Sequence, residues 1–209
     1  MFRIGLTGGV GCGKSTVSRY LSSLGIPIID GDKISREAVA PESPLMQEIR
    51  RVFGEDVFLG NGELNREKMA AIVFSDEEKR QTLNNLIHPF VWKKTEEAVL
   101  FAQKEGHRYV VLDMPLLLEI GWNLRVESVW VVVVPEEVQI ERVQKRDHMT
   151  REQAMARIRK QMPTAFKIGY ADVVIDNSGT MEATYRQVRE ALWKVGFFEG
   201  NTTRGEISN

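Results

Sequence analysis

The chain has 209 residues, of which 43% are hydrophobic and 27% charged, and its formal net charge is −1 at pH 7. This composition is ordinary for one folded α/β domain, and its charge balance argues against a nucleic-acid or membrane-surface partner. Cys12 is the only cysteine, which excludes an intrachain disulfide, argues against a cysteine-based zinc site and suits a reducing compartment. We find no signal-peptide pattern, and the longest apolar run, residues 129–134, is too short to span a bilayer. We therefore expect a cytoplasmic protein.

The first predicted element is a strand at residues 2–7, which are mostly apolar and β-prone. Gly8, Gly13, Lys14 and Ser15 follow at the spacing G-x-x-x-x-G-K-[ST], and a helical pattern comes next. Glycines permit a tight loop whose N–H groups face phosphate oxygens, and the helix N-terminus adds partial positive charge. The alternative, a glycine-rich turn with a chance lysine, leaves the flanking strand and helix unexplained. The motif predicts binding of a nucleoside triphosphate, with Lys14 on the phosphates and Ser15 on Mg²⁺.

Four later segments are continuous apolar runs, at residues 26–29, 109–112, 129–134 and 173–175. Such runs are typical of parallel strands that helices cover on both faces, and helical patterns lie between them. The sequence therefore predicts a doubly wound, parallel, five-stranded α/β fold.

Two intervals are too long for simple crossovers. Residues 41–108 predict a helical insertion on the substrate side, with one long helix or two end to end and His88-Pro89 at a break or first turn. Residues 136–167 are rich in Arg and Lys. Thr150 and Gln153 form a capping-box pattern there, so we expect a turn near residues 147–149 between two helices. We expect this basic helical hairpin to form a lid.

Charged residues at the strand ends are candidates for catalysis, because ligands of open parallel sheets bind beyond the carboxyl ends of the strands. Asp30 and Asp32 follow the second strand, and either could accept a proton from an acceptor hydroxyl or cap the next helix. Asp113 ends the third strand, where it could support Mg²⁺ through water or remain a solvated strand-end residue. Arg142 and Arg146 share a helix face and could reach the phosphates, or could be solvated beside neighbouring glutamates.

Motif blocks beyond the loop resemble the bacterial dephospho-coenzyme A kinase family over residues 4–197. Besides the phosphate loop, the matching blocks are Asp30-Gly31-Asp32, Gly62-Glu63-Leu64-Asn65-Arg66, His88-Pro89, Asp113-Met114-Pro115-Leu116-Leu117-Leu118-Glu119, Gln139 with Arg142 and Arg146, Gln161, and Ala171-Asp172-Val173-Val174-Ile175-Asp176-Asn177. Cys12, Gly31 and Asn65 depart from the family's usual residues, and none of the three removes a reacting group.

The resemblance implies ATP-dependent phosphorylation of the ribose 3′-hydroxyl of dephospho-CoA, the last step of CoA synthesis, with Mg²⁺ as cofactor. It also implies a P-loop NTPase-type fold in a single domain, residues 1–200. Its expected parts are a core (1–40, 109–141 and 171–197), a helical CoA-binding insertion (about 41–108), a helical lid (about 142–170) and a flexible tail at 201–209.

The resemblance also assigns roles to residues. Asp32 becomes the favoured base, Lys14 a transition-state stabiliser, and Arg142 or Arg146 the lid cation. The residues expected to bind ATP are Gly11, Cys12, Gly13, Lys14, Ser15 and Thr16. Those expected to bind dephospho-CoA are Thr7, Arg66, His88, Asp113 and Gln161. Ser15 would bind Mg²⁺ directly and Asp113 through water. We expect a monomer or a small homo-oligomer.

Two other functions compete with this interpretation. Another small-molecule kinase, for a nucleoside, a nucleoside monophosphate or a shikimate-like acceptor, is disfavoured by the long insertion and the His-Pro block. A GTPase-like switch would require Asn-Lys-x-Asp directly after a strand. The nearest match, Gln144-Lys145-Arg146-Asp147, falls at a helix end instead.

Overall fold

A computed structural model of the protein describes residues 1–200. Five parallel strands form one sheet in the order β2-β3-β1-β4-β5. The strands are β1 (Phe2–Gly8), β2 (Ile28–Asp30), β3 (Tyr109–Asp113), β4 (Ser128–Val133) and β5 (Val173–Asp176). The predicted α/β fold and its five strands are confirmed. The predicted tail at 201–209 lies outside the described residues.

Nine helices connect or follow these strands within residues 1–200. They are α1 (Lys14–Ser23), α2 (Gly31–Ala38), α3 (Leu45–Phe53), α4 (Arg66–Ser75), α5 (Glu77–Lys104), α6 (Glu136–Asp147), α7 (Arg151–Ile158), α8 (Thr164–Gly169) and α9 (Met181–Lys194). Short 3₁₀ turns occur at Glu55–Val57, Trp122–Arg125 and Phe198–Gly200.

The central strand β1 carries the phosphate-loop sequence at its carboxyl end. Leu6 of β1 lies beside Asp113 of β3 on one side and Trp130 of β4 on the other. All of β3, and β4 up to Val132, are buried, which explains why their sequences are continuous apolar runs rather than alternating ones. The register places Asp113 at the same edge of the sheet as the loop.

The described residues divide into two compact units, Met1–Ile29 with residues 102–200, and Asp30–Phe101. Each has its own apolar core. In the first unit the fully buried side chains include Ile4, Leu6, Leu21, Trp130, Ile175 and Leu192. In the second, the buried core residues are Met46, Ile49, Val57, Leu64 and Met69.

Helix α5 runs without interruption through Pro89, so the predicted break or first-turn position at His88-Pro89 is wrong. A proline inside a helix removes one backbone hydrogen bond and crowds the preceding turn. Here apolar packing on both sides of Pro89 outweighs that cost, since Leu86 packs on the core of the second unit and Val91 is buried. None of the described helices, α5 included, is long and apolar enough to cross a membrane.

The turn between α6 and α7 lies where the capping-box pattern predicted it. The Thr150 hydroxyl oxygen accepts a hydrogen bond from the Gln153 N–H, and the Gln153 side chain accepts one from the Thr150 N–H. His148 ends α6 with φ 53°, in the left-handed region that reverses the chain direction. Ile140 and Val143 of α6 pack against Ala154 of α7.

We predict that Leu192→Ala lowers the free energy of unfolding by about 2–5 kcal/mol, because it leaves a cavity in a fully buried position of α9. The matched control is Leu124→Ala, whose side chain is 88% exposed and whose loss should cost less than about 0.5 kcal/mol. Urea unfolding followed by far-UV circular dichroism measures both. Equal losses in the two variants would contradict the described core.

Candidate functional site

The loop between β1 and α1 presents backbone N–H groups at a helix N-terminus. The Cys12 N–H donates to the Gly9 carbonyl oxygen at 3.1 Å and closes a turn. Gly13 lies at the N-cap of α1 with φ 82°, and as a glycine it has no side chain that could cap the helix. The first N–H groups of α1 therefore receive no N-cap side chain, and such amides together with the helix dipole favour an anion.

Two side chains hold the Cys12 carbonyl oxygen. Asn177 Nδ2 donates to it at 2.8 Å, and Arg142 Nη1 lies 3.4 Å away. The second guanidinium nitrogen of Arg142 donates to the Asn177 carbonyl oxygen at 3.0 Å. In a trans peptide the C=O and the following N–H point in opposite directions, so fixing the Cys12 carbonyl orients the Gly13 N–H to the other side. The sequence interpretation missed Asn177 as a site residue, although it directly follows β5.

Lys14 and Asp113 form an ion pair at the start of α1 and the end of β3. Their side chains are 18% and 10% exposed, so the pair is largely shielded from bulk water. The Thr7 hydroxyl, fully buried one residue before the loop, donates to the Pro115 carbonyl oxygen at 2.9 Å. The structure thus brings together three predicted residues, Thr7, Lys14 and Asp113.

A second ion pair lies deeper. Lys167 of α8 is completely buried, and its ammonium donates to Glu119 Oε1 at 2.7 Å and to the Pro115 carbonyl oxygen at 3.3 Å. Lys167 sits in the basic interval that the sequence interpretation treated as a lid. The sequence near Lys167 could not indicate this burial, because its partner Glu119 lies 48 residues earlier in the chain.

The pKa of the Cys12 thiol depends on both burial and the charges around the loop. Burial raises the pKa of this thiol, and the nearby charges of Lys14, Lys167 and Arg142 act in the opposite direction. The thiol is therefore neutral at pH 7. Two ammonium groups and one guanidinium group therefore lie near the loop, and cations at such a position suit a polyanionic ligand.

The two candidate lid arginines differ in their contacts. Arg142 is bonded to the loop and to Asn177, as described above. Arg146 instead forms a bidentate ion pair with Asp147, with both N–O distances 2.8 Å. The Arg146 side chain is 56% exposed. Asp147 also pairs with Arg157. The structure therefore brings Arg142, and not Arg146, to the phosphate loop.

The remaining loop residues differ in accessibility. The Ser15 side chain is exposed at the first turn of α1, and Thr16 is half-buried with its N–H bonded to the Gly13 carbonyl oxygen at 2.9 Å.

Gln161, predicted to bind substrate, accepts a hydrogen bond from the Val10 N–H at 2.7 Å. No cluster of three or more potential metal-binding His, Cys, Asp or Glu side chains occurs within residues 1–200.

Three predicted site residues belong to the second unit. Asp32 is exposed in the first turn of α2, Arg66 is exposed at the start of α4, and His88 is half-buried in α5. Burial lowers the pKa of His88, so its neutral form is favoured at pH 7. Asp30, the alternative to Asp32, is the N-cap of α2, and its carboxylate accepts the Lys33 N–H at 3.0 Å.

Known proteins match this chain over nearly its whole length. A family model described as dephospho-CoA kinase matches residues 2–183. The chain is 45% identical over 193 residues to the dephospho-CoA kinase of Shouchella clausii strain KSM-K16, covering 92% of this chain and 98% of the relative. It is 44% identical over 191 residues to that of Carboxydothermus hydrogenoformans, covering 91% and 93%.

Two solved structures are similar in fold as well as sequence. A Thermus thermophilus protein superposes with a TM-score of 0.82 at 34% identity, covering 93% of this chain and 97% of that one. The dephospho-CoA kinase from Campylobacter jejuni superposes with a TM-score of 0.69 at 25% identity, covering 94% and 98%.

We predict that Gly13→Ala weakens binding of Mg·ATP at least roughly tenfold, because it combines positive φ with a collision of the new Cβ with Asn177 Nδ2. Gly25→Ala is the matched control, since Gly25 has the same φ of 82° but no atom within 4 Å of its Cβ position. Titration calorimetry with Mg·ATP compares the two. Similar affinity losses would show that backbone strain alone, and not the site, accounts for the effect.

Proposed function

This chain belongs to the dephospho-CoA kinase family, and on that premise we propose that it transfers the terminal phosphoryl group of ATP to the ribose 3′-hydroxyl of dephospho-CoA, giving CoA and ADP. The observation that carries the proposal is the phosphate loop with its cations, set in a sequence that matches the family over residues 2–183. Since Cys12 is the only cysteine, we propose a reducing, cytoplasmic setting.

ATP would lie with its phosphates on the loop, within reach of the α1 amides and Lys14. Supporting this placement, the N-cap residue of α1 is a glycine without a capping side chain, and Lys14 is held at the loop by Asp113. When phosphate binds, the Lys14 ammonium can donate to phosphate oxygens while Asp113 keeps it oriented, since an ammonium has three donors. The residues proposed to contact ATP remain Gly11, Cys12, Gly13, Lys14, Ser15 and Thr16.

Mg²⁺ would accompany ATP. This ion prefers oxygen ligands, keeps several waters and takes few protein ligands, so a site without a cluster of acidic side chains is compatible with it. The Ser15 hydroxyl would bind it directly, and the Asp113 carboxylate would support it through water. Bound there, it would neutralise charge on the transferred phosphoryl oxygens.

Asp32 would orient the acceptor hydroxyl and accept its proton. Asp30 and Asp32 were equal candidates by position, but the Asp30 carboxylate serves as the cap of α2. Asp32 lies two residues past β2 and is exposed. The capping role of the Asp30 carboxylate supports Asp32 as the base.

Arg142 would stabilise charge on the transferred group. Its guanidinium already bonds to the loop backbone, whereas that of Arg146 is engaged with Asp147. A fixed cation beside the phosphates requires no reorganisation during the reaction. Residues about 41–108 would bind the CoA portion, with Arg66 and His88 among the contacts, and residues about 142–170 would form a lid that excludes water.

We predict that ADP release by the purified protein with Mg·ATP depends on dephospho-CoA, and that the product gains the mass of one phosphoryl group. A coupled ADP assay with and without the acceptor, followed by mass spectrometry, makes the measurement. Shikimate and nucleosides serve as control acceptors. Release that ignores every acceptor would contradict kinase activity and indicate an ATPase or a switch.

We predict that Asp32→Asn lowers kcat roughly 100-fold or more, because an amide cannot accept the proton, while affinity for Mg·ATP changes only a few-fold. Asp30→Asn is the control, since an asparagine oxygen caps a helix as well as an aspartate does. It should leave kcat nearly unchanged. Near-normal turnover in Asp32→Asn would remove Asp32 from this role.

We predict that Arg142→Met lowers kcat by roughly 100-fold or more, since a cation is lost beside the transferred group. The control, Arg146→Met, removes a half-exposed ion pair and should change kcat less than about twofold. Steady-state kinetics at saturating substrates measures both. A larger loss in Arg146→Met would reverse the assignment.

A further inference from the structure

Two glutamine side chains hold consecutive peptide groups of the phosphate loop. Gln161 Oε1 accepts the Val10 N–H at 2.7 Å, and Gln139 Nε2 donates to the Val10 carbonyl oxygen at 2.6 Å. Since each peptide is planar and trans, the first bond sets the plane of the Gly9–Val10 peptide and the second that of the Val10–Gly11 peptide. The side chains thus orient the backbone immediately before the anion-binding amides.

The Gln161 bond also determines where the Gly9 carbonyl points. With the Val10 N–H directed at Gln161, the Gly9 carbonyl oxygen faces the opposite way, where it accepts the Cys12 N–H at 3.1 Å. That bond closes the turn of the loop. The Val10 N–H itself is engaged by a protein oxygen, so Gln161 marks the edge of the amide surface offered to phosphate.

Gln139 is a fixed support of the loop. It lies in α6, is 4% exposed, and a Cβ on Gly9 would collide with its amide nitrogen. Close approach of this side chain explains why the second loop position is glycine. Gln139 therefore has little freedom to move away from Val10.

Gln161 comes from a different segment, residues 161–167, which we call the strap. The strap is attached to the loop after β3 at two further points. The Met162 N–H donates to Glu119 Oε1 at 3.2 Å, and the buried Lys167 ammonium bonds to the same oxygen and to Pro115. A buried ion pair with satisfied hydrogen bonds is costly to separate, so it anchors the strap firmly.

The strap thereby connects both halves of the Lys14–Asp113 pair. Through Gln161 it contacts the loop that leads to Lys14, and through Glu119 it contacts the loop that begins after Asp113. We propose that Gln161 is a positioning residue for phosphoryl transfer, which holds the Val10 peptide and is itself held by the Glu119–Lys167 pair. Its role is then to keep the phosphate loop in its binding conformation rather than to contact dephospho-CoA.

Backbone amide exchange tests the contact directly. In Gln161→Met, which keeps the side-chain length but removes the acceptor, the Val10 N–H should exchange about tenfold faster than in the wild type, relative to the Thr16 N–H of α1. Gln161→Glu retains an acceptor oxygen and should restore the Val10 protection. Thr164→Val, in the strap but without a hydrogen bond to either loop in the described structure, is the control and should leave Val10 unchanged.

Kinetics separates positioning from a purely structural contact. We expect Gln161→Met to lower kcat/KM for ATP about tenfold, with KM for dephospho-CoA within about twofold and unchanged circular dichroism. Gln161→Asn, whose amide is one methylene too short, is a second variant in case the first does not fold. Glu119→Gln changes a side chain whose described hydrogen bonds go to Met162 and Lys167, and it should also speed Val10 exchange relative to Thr16.

Three results would overturn the proposal. They are unchanged Val10 exchange in both Gln161→Met and Gln161→Asn, faster exchange in these variants with wild-type kinetics, and a KM increase confined to dephospho-CoA. Unchanged Val10 exchange in Glu119→Gln would overturn the anchoring step. The kinetic prediction rests on the proposed function, whereas the amide-exchange prediction does not. Absence of acceptor-dependent ADP release by the wild type would therefore count against the reaction and leave the role of Gln161 to the exchange data and to Mg·ATP affinity.

Discussion

The direction of each peptide group in the phosphate loop is the constraint on which the rest of the site depends. A backbone segment can offer several N–H groups to one anion only if its carbonyl oxygens are held elsewhere. In this protein side chains hold them: Gln139 takes the Val10 carbonyl, and Asn177 with Arg142 takes that of Cys12. These side chains must come close to the backbone, which is why glycine stands at position 9.

Three cationic side chains lie around the loop. Lys14, Arg142 and Lys167 are all near enough to Cys12 to oppose the rise in its pKa, yet burial prevails. Each of the three cations has protein oxygen partners, so none is buried without compensation. Protein contacts therefore hold three cationic side chains around the loop, and preorganised charge of this kind is the main source of catalysis in phosphoryl transfer.

Sequence patterns predicted the strands, the phosphate loop and the turn at Thr150 because each depends on residues close together in the chain. Prediction was wrong at Pro89, where packing on either side of the residue maintains α5 against a local helix-breaking signal. It also missed Lys167, whose basic neighbours indicate a solvated helix. The burial of Lys167 depends on Glu119, 48 residues earlier, and no local pattern contains that pairing.

Two pairs of equivalent residues show what the structure adds to the sequence. Asp30 and Asp32 are indistinguishable by composition and nearly so by position, but only one can be the N-cap, and the backbone of α2 selects Asp30. Arg142 and Arg146 lie one helical turn apart on the same face of α6, and the closer approach of Asn177 to the first of them decides which reaches the loop. Position along an element limits the candidates to two, and a hydrogen-bond partner distinguishes them, which for Asp30 is the Lys33 N–H of the same helix. In the arginine pair that partner is Asn177 from the end of β5, so the edge strand of the sheet takes part in building a site whose sequence signature lies entirely in β1 and α1.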